Sequence, residues 1–193
     1  MRFEPTGLPG AWQISTEPSR DSRGRFGRVF CKEEFAAHGL TRPLVQASLS
    51  FNHRKGTVRG LHFQWPPSKE AKLIRCVRGA VFDAIVDLRP ESPTFLRQFT
   101  AELTADNMAS VYVPEGFAHG SQSLADESEL LYQMTDVYSP ELSTGYRFDD
   151  PTLGIRWPLA VAEISDRDRD AAPFITAAYV AEYGSRTLSG AVS

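Results

Sequence analysis

The chain has 193 residues, with 21 Lys and Arg against 24 Asp and Glu and a formal net charge of -3. The length suits one domain with a sizeable core, and the mixed charge excludes a general nucleic-acid binder, which shows a broad basic face. Two cysteines build neither a disulfide framework nor a zinc site, residues 1–5 form no apolar leader, and no run is long enough to span a bilayer, so a reduced, cytoplasmic setting is expected.

Residues 11–16 predict a first strand. Asp21-Ser22-Arg23-Gly24 predicts a turn, and 26–31 a second strand. Residues 33–38 read as a helical turn stopped by Gly39. Residues 44–51 alternate well, and 52–56 turn the chain back into a strand that carries Arg59-Gly60-Leu61-His62-Phe63-Gln64. Trp65-Pro66-Pro67 ends that strand, because proline cannot join an interior ladder. Further strands are expected at 72–78, 81–88, 96–103, 110–113 and 129–138. Only the tail, 171–183, carries a helical pattern, and a weak one. Many short strands between Gly, Pro, Asn and Asp turns predict an all-β antiparallel sandwich or barrel with short peripheral helices. No repeat or linker divides the chain, so residues 1–193 are expected to form one domain, with its core at about 10–170.

Side chains alternate faces along a strand, so His62 and Gln64 point one way and Leu61 and Phe63 the other. Lys72, Tyr132 and the segment Pro114-Glu115-Gly116-Phe117-Ala118-His119-Gly120 are expected around the same pocket. The spacing Gly56-x5-His62-x-Gln64-x5-Glu70-x8-Gly79, then Pro114-x-Gly116-x2-His119, resembles the two motifs of the cupin superfamily, a β jelly roll. Metal-binding cupins usually supply three histidines and a glutamate. Here Gln64 replaces one histidine and Glu70 is displaced, and two histidines plus a glutamine make a poor divalent site. No metal is expected.

The resemblance sharpens over four longer motifs. These are Thr57-Val58-Arg59-Gly60-Leu61-His62-Phe63-Gln64, Lys72-Leu73-Ile74-Arg75-Cys76, Tyr112-Val113-Pro114-Glu115-Gly116-Phe117-Ala118-His119-Gly120 and Asp149-Asp150-Pro151-x2-Gly154-Ile155-x-Trp157-Pro158. Together they resemble the dTDP-4-dehydrorhamnose 3,5-epimerase family from about Gly10 to Asp170. The resemblance implies a jelly roll without metal or cofactor, a homodimer, and a nucleotide-linked 4-keto-6-deoxy sugar as substrate, dTDP-linked by the family's usage.

The chemistry such a substrate needs can be written independently. A C4 ketone acidifies the protons on C3 and C5. Epimerisation needs a base on one face, an acid on the other and a group that holds the enolate oxygen. His62 suits the base, since an imidazole ordinarily titrates near neutrality. A carboxylate should orient it; by resemblance this is Asp168, with Asp166 the near competitor. Lys72 suits the enolate stabiliser, and Tyr132 the acid of the opposite face. Taken singly, each has a structural reading: a hydrogen-bonded strand histidine, a strand-end lysine, a core tyrosine, a solvated aspartate. Occurring together in family order, they favour chemistry. His119 resembles a pocket residue near the reacting sugar, with a structural histidine the competing reading. His38 and His53 are expected at the surface.

For the nucleotide, Arg23 and Arg59 resemble diphosphate-binding residues, a natural use of the guanidinium fork. Strict alternation puts Arg59 on the face opposite His62, so a bulge at Gly60 or a sheet-edge position is required. Gln46 and Ser48 are candidate polar contacts. Phe26 and Tyr138 resemble the aromatics that flank the base, and Tyr138 shares strand parity with Tyr132. The resemblance further implies that the segment with Arg23 and Phe26 is exchanged into the partner's site. Ser48, Ser121, Arg28, Gln133-Met134 and Tyr146-Arg147-Phe148 depart from the common family pattern, leaving the sugar, the nucleotide and the number of inverted centres open. Two other classes stay in view: a metal-dependent cupin oxygenase using His62, His119 and a carboxylate, and a non-catalytic sugar-binding cupin.

Overall fold

The computed structural model describes residues 1–190, and within them the chain forms fourteen strands. In chain order they are β1 (Arg2–Pro5), β2 (Trp12–Ser15), β3 (Ser19–Asp21), β4 (Gly24–Phe26), β5 (Gln46–Asn52), β6 (Thr57–Gln64) and β7 (Lys72–Arg78). They continue with β8 (Ala80–Asp87), β9 (Gln98–Thr104), β10 (Ser110–Val113), β11 (Phe117–Ser123), β12 (Ser128–Met134), β13 (Ser143–Gly145) and β14 (Glu163–Ile164). The helices are α1 (Lys32–Ala37), α2 (Asp166–Arg169) and α3 (Thr176–Gly190).

The first sheet runs β1-β2-β10-β7-β12-β5 and the second β13-β6-β11-β8-β9, with β14 added parallel to β6. All other pairings are antiparallel, and the architecture is the expected jelly roll. Ile74, Cys76, Val111 and Leu130 of the first sheet meet Val81, Ile85 and Leu103 of the second in a buried core. The second sheet's outer face, with Leu61, Phe63, Ala84 and Val86, lies under Phe174 and Tyr179 of the C-terminal region. The first sheet's outer face is covered by Phe35 of α1, over Ile14, Leu73 and Tyr112. Both sides of β6 are therefore spoken for: Leu61 and Phe63 pack outward under α3, while His62 looks into the space between the sheets.

Several expectations need correction. The strand expected at 26–31 does not form; a short hairpin, β3–β4, precedes it instead. Gly27 lies so close to Thr16 that a Cβ would come within 2.5 Å of its Cγ2. Thr16 Oγ1 donates to the Arg28 carbonyl at 3.3 Å, so a side chain holds this backbone. Strand β12 stops at Met134, because the Thr135 amide and hydroxyl are bonded to the carbonyls of Ala71 and Lys69. Tyr138 therefore sits in a loop, and the strand-parity argument for it fails. Strand β11 escaped notice because all seven of its residues are buried and its polar residues break the alternation. The helical tail starts at Thr176 and runs past 183.

Candidate active site

The site begins with a bulge. On β6 and β11, His62 pairs with His119 while Arg59 pairs with Ser121, so β6 carries one extra residue between them. This is the irregularity that the position of Arg59 required. Gly60 adopts φ +112, and a Cβ there would lie 2.6 Å from Gly120 Cα, so only glycine lets the two strands approach here.

The bulge turns the Gly60 amide outward to Asp168, whose Oδ2 accepts from it at 3.1 Å. Asp168 Oδ1 lies 2.6 Å from His62 Nε2. The carboxylate arrives on the single turn of α2, where the capping Ser165 hydroxyl accepts the Asp168 amide at 3.2 Å. Burial pushes the Asp168 carboxyl up, but His62, the Gly60 amide and Ser165 outweigh it, and the pKa lies below the ordinary carboxylate value. An ionised Asp168 requires the proton on His62 Nε2, which leaves the Nδ1 lone pair to act as acceptor. Asp166, the competitor, is 86% exposed and pairs with Arg169.

His62 opens onto a cleft of about 200 Å³, lined also by Gln64, Glu70, Lys72, Tyr138 and Arg167. Lys72 comes from the first sheet, and its ammonium lies 3.1 Å from Glu70. Two glutamine side chains hold the Tyr138 loop in place. Gln46 Oε1 accepts the Tyr138 amide at 2.9 Å, and Gln64 Oε1 accepts the Ser139 amide at 3.0 Å. Gln64 is thus committed to a backbone amide.

Tyr132 stands on β12 opposite Ser48 of β5 and Ile74 of β7, and so faces inward with them. Its ring meets the edge of His119 at 5.7 Å between centroids. Burial, reinforced by the charge of Asp83, drives the phenol well above its ordinary pKa; Ser121 and Arg59 pull only partly the other way. The phenol therefore stays protonated across the neutral range. His119 Nε2 is 2.7 Å from Asp83 Oδ2, and both are buried.

Arg59 is fixed by Asn52 Oδ1 at 2.7 Å and the Phe51 carbonyl at 3.0 Å. It lines a neighbouring cavity of about 210 Å³ whose wall also includes Asp168. Arg23 and Phe26 are not brought to either cavity. They sit on the β3–β4 hairpin, where Arg23 pairs with Asp21 and Phe26 is 82% exposed. Arg25 anchors that hairpin to the carbonyls of Ala105 and Asp106, at the end of β7 remote from Lys72.

Sequence reasoning missed Asp83, Arg167 and the part played by Glu70. Asp83 was the most visible of these, an acid inside the apolar run Val81 to Leu88. His38 and His53 are exposed, as expected. Among the described residues no three His, Cys, Asp or Glu side chains converge as a metal site would need.

Comparison with known proteins gives a consistent result. A model of the dTDP-4-dehydrorhamnose 3,5-epimerase family matches residues 5–175. A dTDP-4-dehydrorhamnose 3,5-epimerase of Sinorhizobium fredii is 43% identical over 169 residues, which span 87% of each chain. A dTDP-4-dehydrorhamnose 3-epimerase of Streptomyces niveus is 41% identical over 172 residues, covering 89% of this chain and 83% of its own. The crystal structure of the 3,5-epimerase from Bacillus anthracis, with TDP and PPi bound, superposes with a TM-score of 0.87 at 35% identity, covering 90% of this chain and 99% of that one.

Proposed function

The chain belongs to the dTDP-4-dehydrorhamnose 3,5-epimerase family, and from that premise we propose how its residues invert a dTDP-linked 4-keto-6-deoxy sugar. It is an isomerase, an epimerase of dTDP-sugars. The sugar enters the cleft with its C4 ketone toward Lys72. His62 Nδ1 takes the proton from the carbon beside the ketone, and the electron pair moves onto the ketone oxygen as an enolate. Asp168 stabilises the imidazolium that results. Lys72 stabilises the oxyanion. Tyr132, on the facing sheet, returns a proton to the other side of the carbon as the enolate collapses to the ketone. Tyr132 and His62 then re-equilibrate with water, and the two exchanged protons balance.

The observation that carries this reading is the His62–Asp168 pair at 2.6 Å, open to a cleft that Lys72 also lines. Arg59 is our candidate for the diphosphate and Tyr138 for the face of the base; His119, Gln46 and Ser48 are our candidate sugar and nucleotide contacts. The relatives include a 3,5-epimerase and a 3-epimerase at nearly equal identity, so similarity does not fix the number of centres. We place the enzyme in the reducing cytoplasm, where Cys31 and Cys76 remain thiols.

We further propose a homodimer in which the β3–β4 hairpin delivers Arg23 and Phe26 to the partner's site. The exposure of Phe26 and the distance of the hairpin from the Lys72 end support this. Removing all of residues 1–30 is a poor test, since Leu8, Ala11 and Ile14 are buried core. Replacing Phe26 and Arg23 alone is the better one.

The function is tested with a panel of dTDP-linked 4-keto-6-deoxy sugars in deuterated water, read by mass spectrometry and NMR. Deuterium at C3, at C5 or at both, with inversion, is expected for at least one member. No exchange into any of them would overturn the reading.

A further inference from the structure

We propose that Glu70 is a positioning residue, fixing the Lys72 ammonium where the enolate oxygen forms; this rests on reading Lys72 as the enolate stabiliser. The Glu70 carboxylate lies 3.1 Å from Lys72 Nζ, and the two side chains are only 9% and 17% exposed. Both line the cleft that holds His62. A pair so withdrawn from water loses hydration and adds little net stability. Stability alone is therefore a weak reason for its presence.

Geometry supplies a better one. The lysine stem is flexible, and its charge would otherwise sample many positions. Glu70 removes that freedom, and Glu70 is itself held. Its amide donates to Ser68 Oγ at 3.2 Å, and Ser68 Oγ donates to Asp136 Oδ2 at 3.2 Å. The Lys69 amide donates to the same Asp136 oxygen at 3.0 Å. The Ala71 amide donates to Thr135 Oγ1 at 2.8 Å, and the Thr135 amide returns a bond to the Ala71 carbonyl at 3.0 Å. Residues 68–71 are thus strapped to 135–136, immediately before the loop that carries Tyr138.

An ammonium carries three donors. One spent on Glu70 leaves two for the substrate oxygen. The ketone oxygen bears little charge, so the bond to it is weak in the ground state. As the enolate forms, its full charge meets a cation already in position, and the gain appears in the transition state. Asp168 and Glu70 then have parallel tasks: one carboxylate orients the base, the other orients the cation.

The test is a double-mutant cycle with Glu70→Gln and Lys72→Met. The readouts are solvent-deuterium uptake at saturating sugar nucleotide, KM and melting temperature. Lys72→Met should slow uptake by about 10²-fold or more. Glu70→Gln should lower kcat about 10-fold with KM changed less than about 3-fold. In the Lys72→Met background, Glu70→Gln should add less than about 2-fold, because its route of action is already gone. Glu70→Asp keeps the charge and should run faster than Glu70→Gln. A Lys72→Met enzyme at wild-type rate defeats the enolate reading and this proposal with it. A slow Lys72→Met beside a fully active Glu70→Gln defeats this proposal alone. Equal slowing by Glu70→Gln in both backgrounds, or Glu70→Asp no faster than Glu70→Gln, also overturns it.

Discussion

Two histidine–carboxylate pairs lie side by side in the second sheet, and they differ in access. His62 and Asp168 meet at 2.6 Å, with the imidazole 39% exposed. His119 and Asp83 meet at 2.7 Å, with side chains 6% and 1% exposed. The two histidines are direct cross-strand neighbours on β6 and β11. Asp168 reaches His62 from a helical turn at the far end of the sequence, whereas Asp83 comes from the adjacent strand β8. One chemical pairing therefore serves two settings. The open pair can pass a proton to a molecule in the cleft. The closed pair packs edge-to-face against Tyr132 through His119, and the charge of Asp83 adds to the burial that holds the phenol protonated.

The sharpest break in that comparison is His62→Ala. It should reduce both solvent exchange and inversion by at least ~10²-fold, measured as deuterium uptake in a variant with native melting temperature. Near-normal uptake would make His62 structural and leave the open pair without a task. Asp168→Asn should follow closely, because the amide no longer stabilises the imidazolium. It also carries a pH signature. The pKa of Asp168 is lowered on folding, so its contribution to stability is complete above the unfolded-state value and is lost as pH falls through the folded one. Melting scans from neutral to acid pH should show a shallower acid decline in Asp168→Asn than in the wild type.

The closed pair should behave differently. Asp83→Ala strands a buried imidazole and should cost about 1–3 kcal/mol of stability, seen as a melting temperature lower by several degrees. Its effect on exchange should stay below about 10-fold, since His62 and Lys72 are untouched. A larger loss of exchange than of stability would assign the closed pair to proton transfer. Smallest of all is the expected effect of exhaustive chelation: full epimerase activity, with the panel assay as the measure. Activity that vanished with chelation and returned with iron or manganese would revive a metal-dependent reading.

The open pair was legible in the sequence only through resemblance. Alternation put His62 on an inward face, and the short turns between strands gave the two-sheet architecture. Nothing local in Ser165-Asp166-Arg167-Asp168-Arg169 says which aspartate folds back over β6, because both sit in a charged stretch. The Ser165 cap is local, three residues before Asp168, but the amide exposed at the Gly60 bulge that fixes the choice lies 108 positions away in the chain. The closed pair was half legible: His119 stood out beside Pro114-x-Gly116, while Asp83 was hidden in an apolar run. Strand β11 and the loop position of Tyr138 escaped because burial on both faces and side-chain to backbone bonds erase the period-two pattern.

The central claim is that His62 and Tyr132 act on opposite faces of the sugar, and Tyr132→Phe tests it most directly. This variant keeps the ring, the His119 contact and the base, and deletes only the hydroxyl. Exchange and product stereochemistry are measured on the same sample in deuterated water. Deuterium should still wash into the substrate, with His62 handing it back to the face it came from, while inversion is largely lost. Parallel loss of exchange and inversion in a well-folded Tyr132→Phe enzyme, or unchanged inversion, would contradict the account.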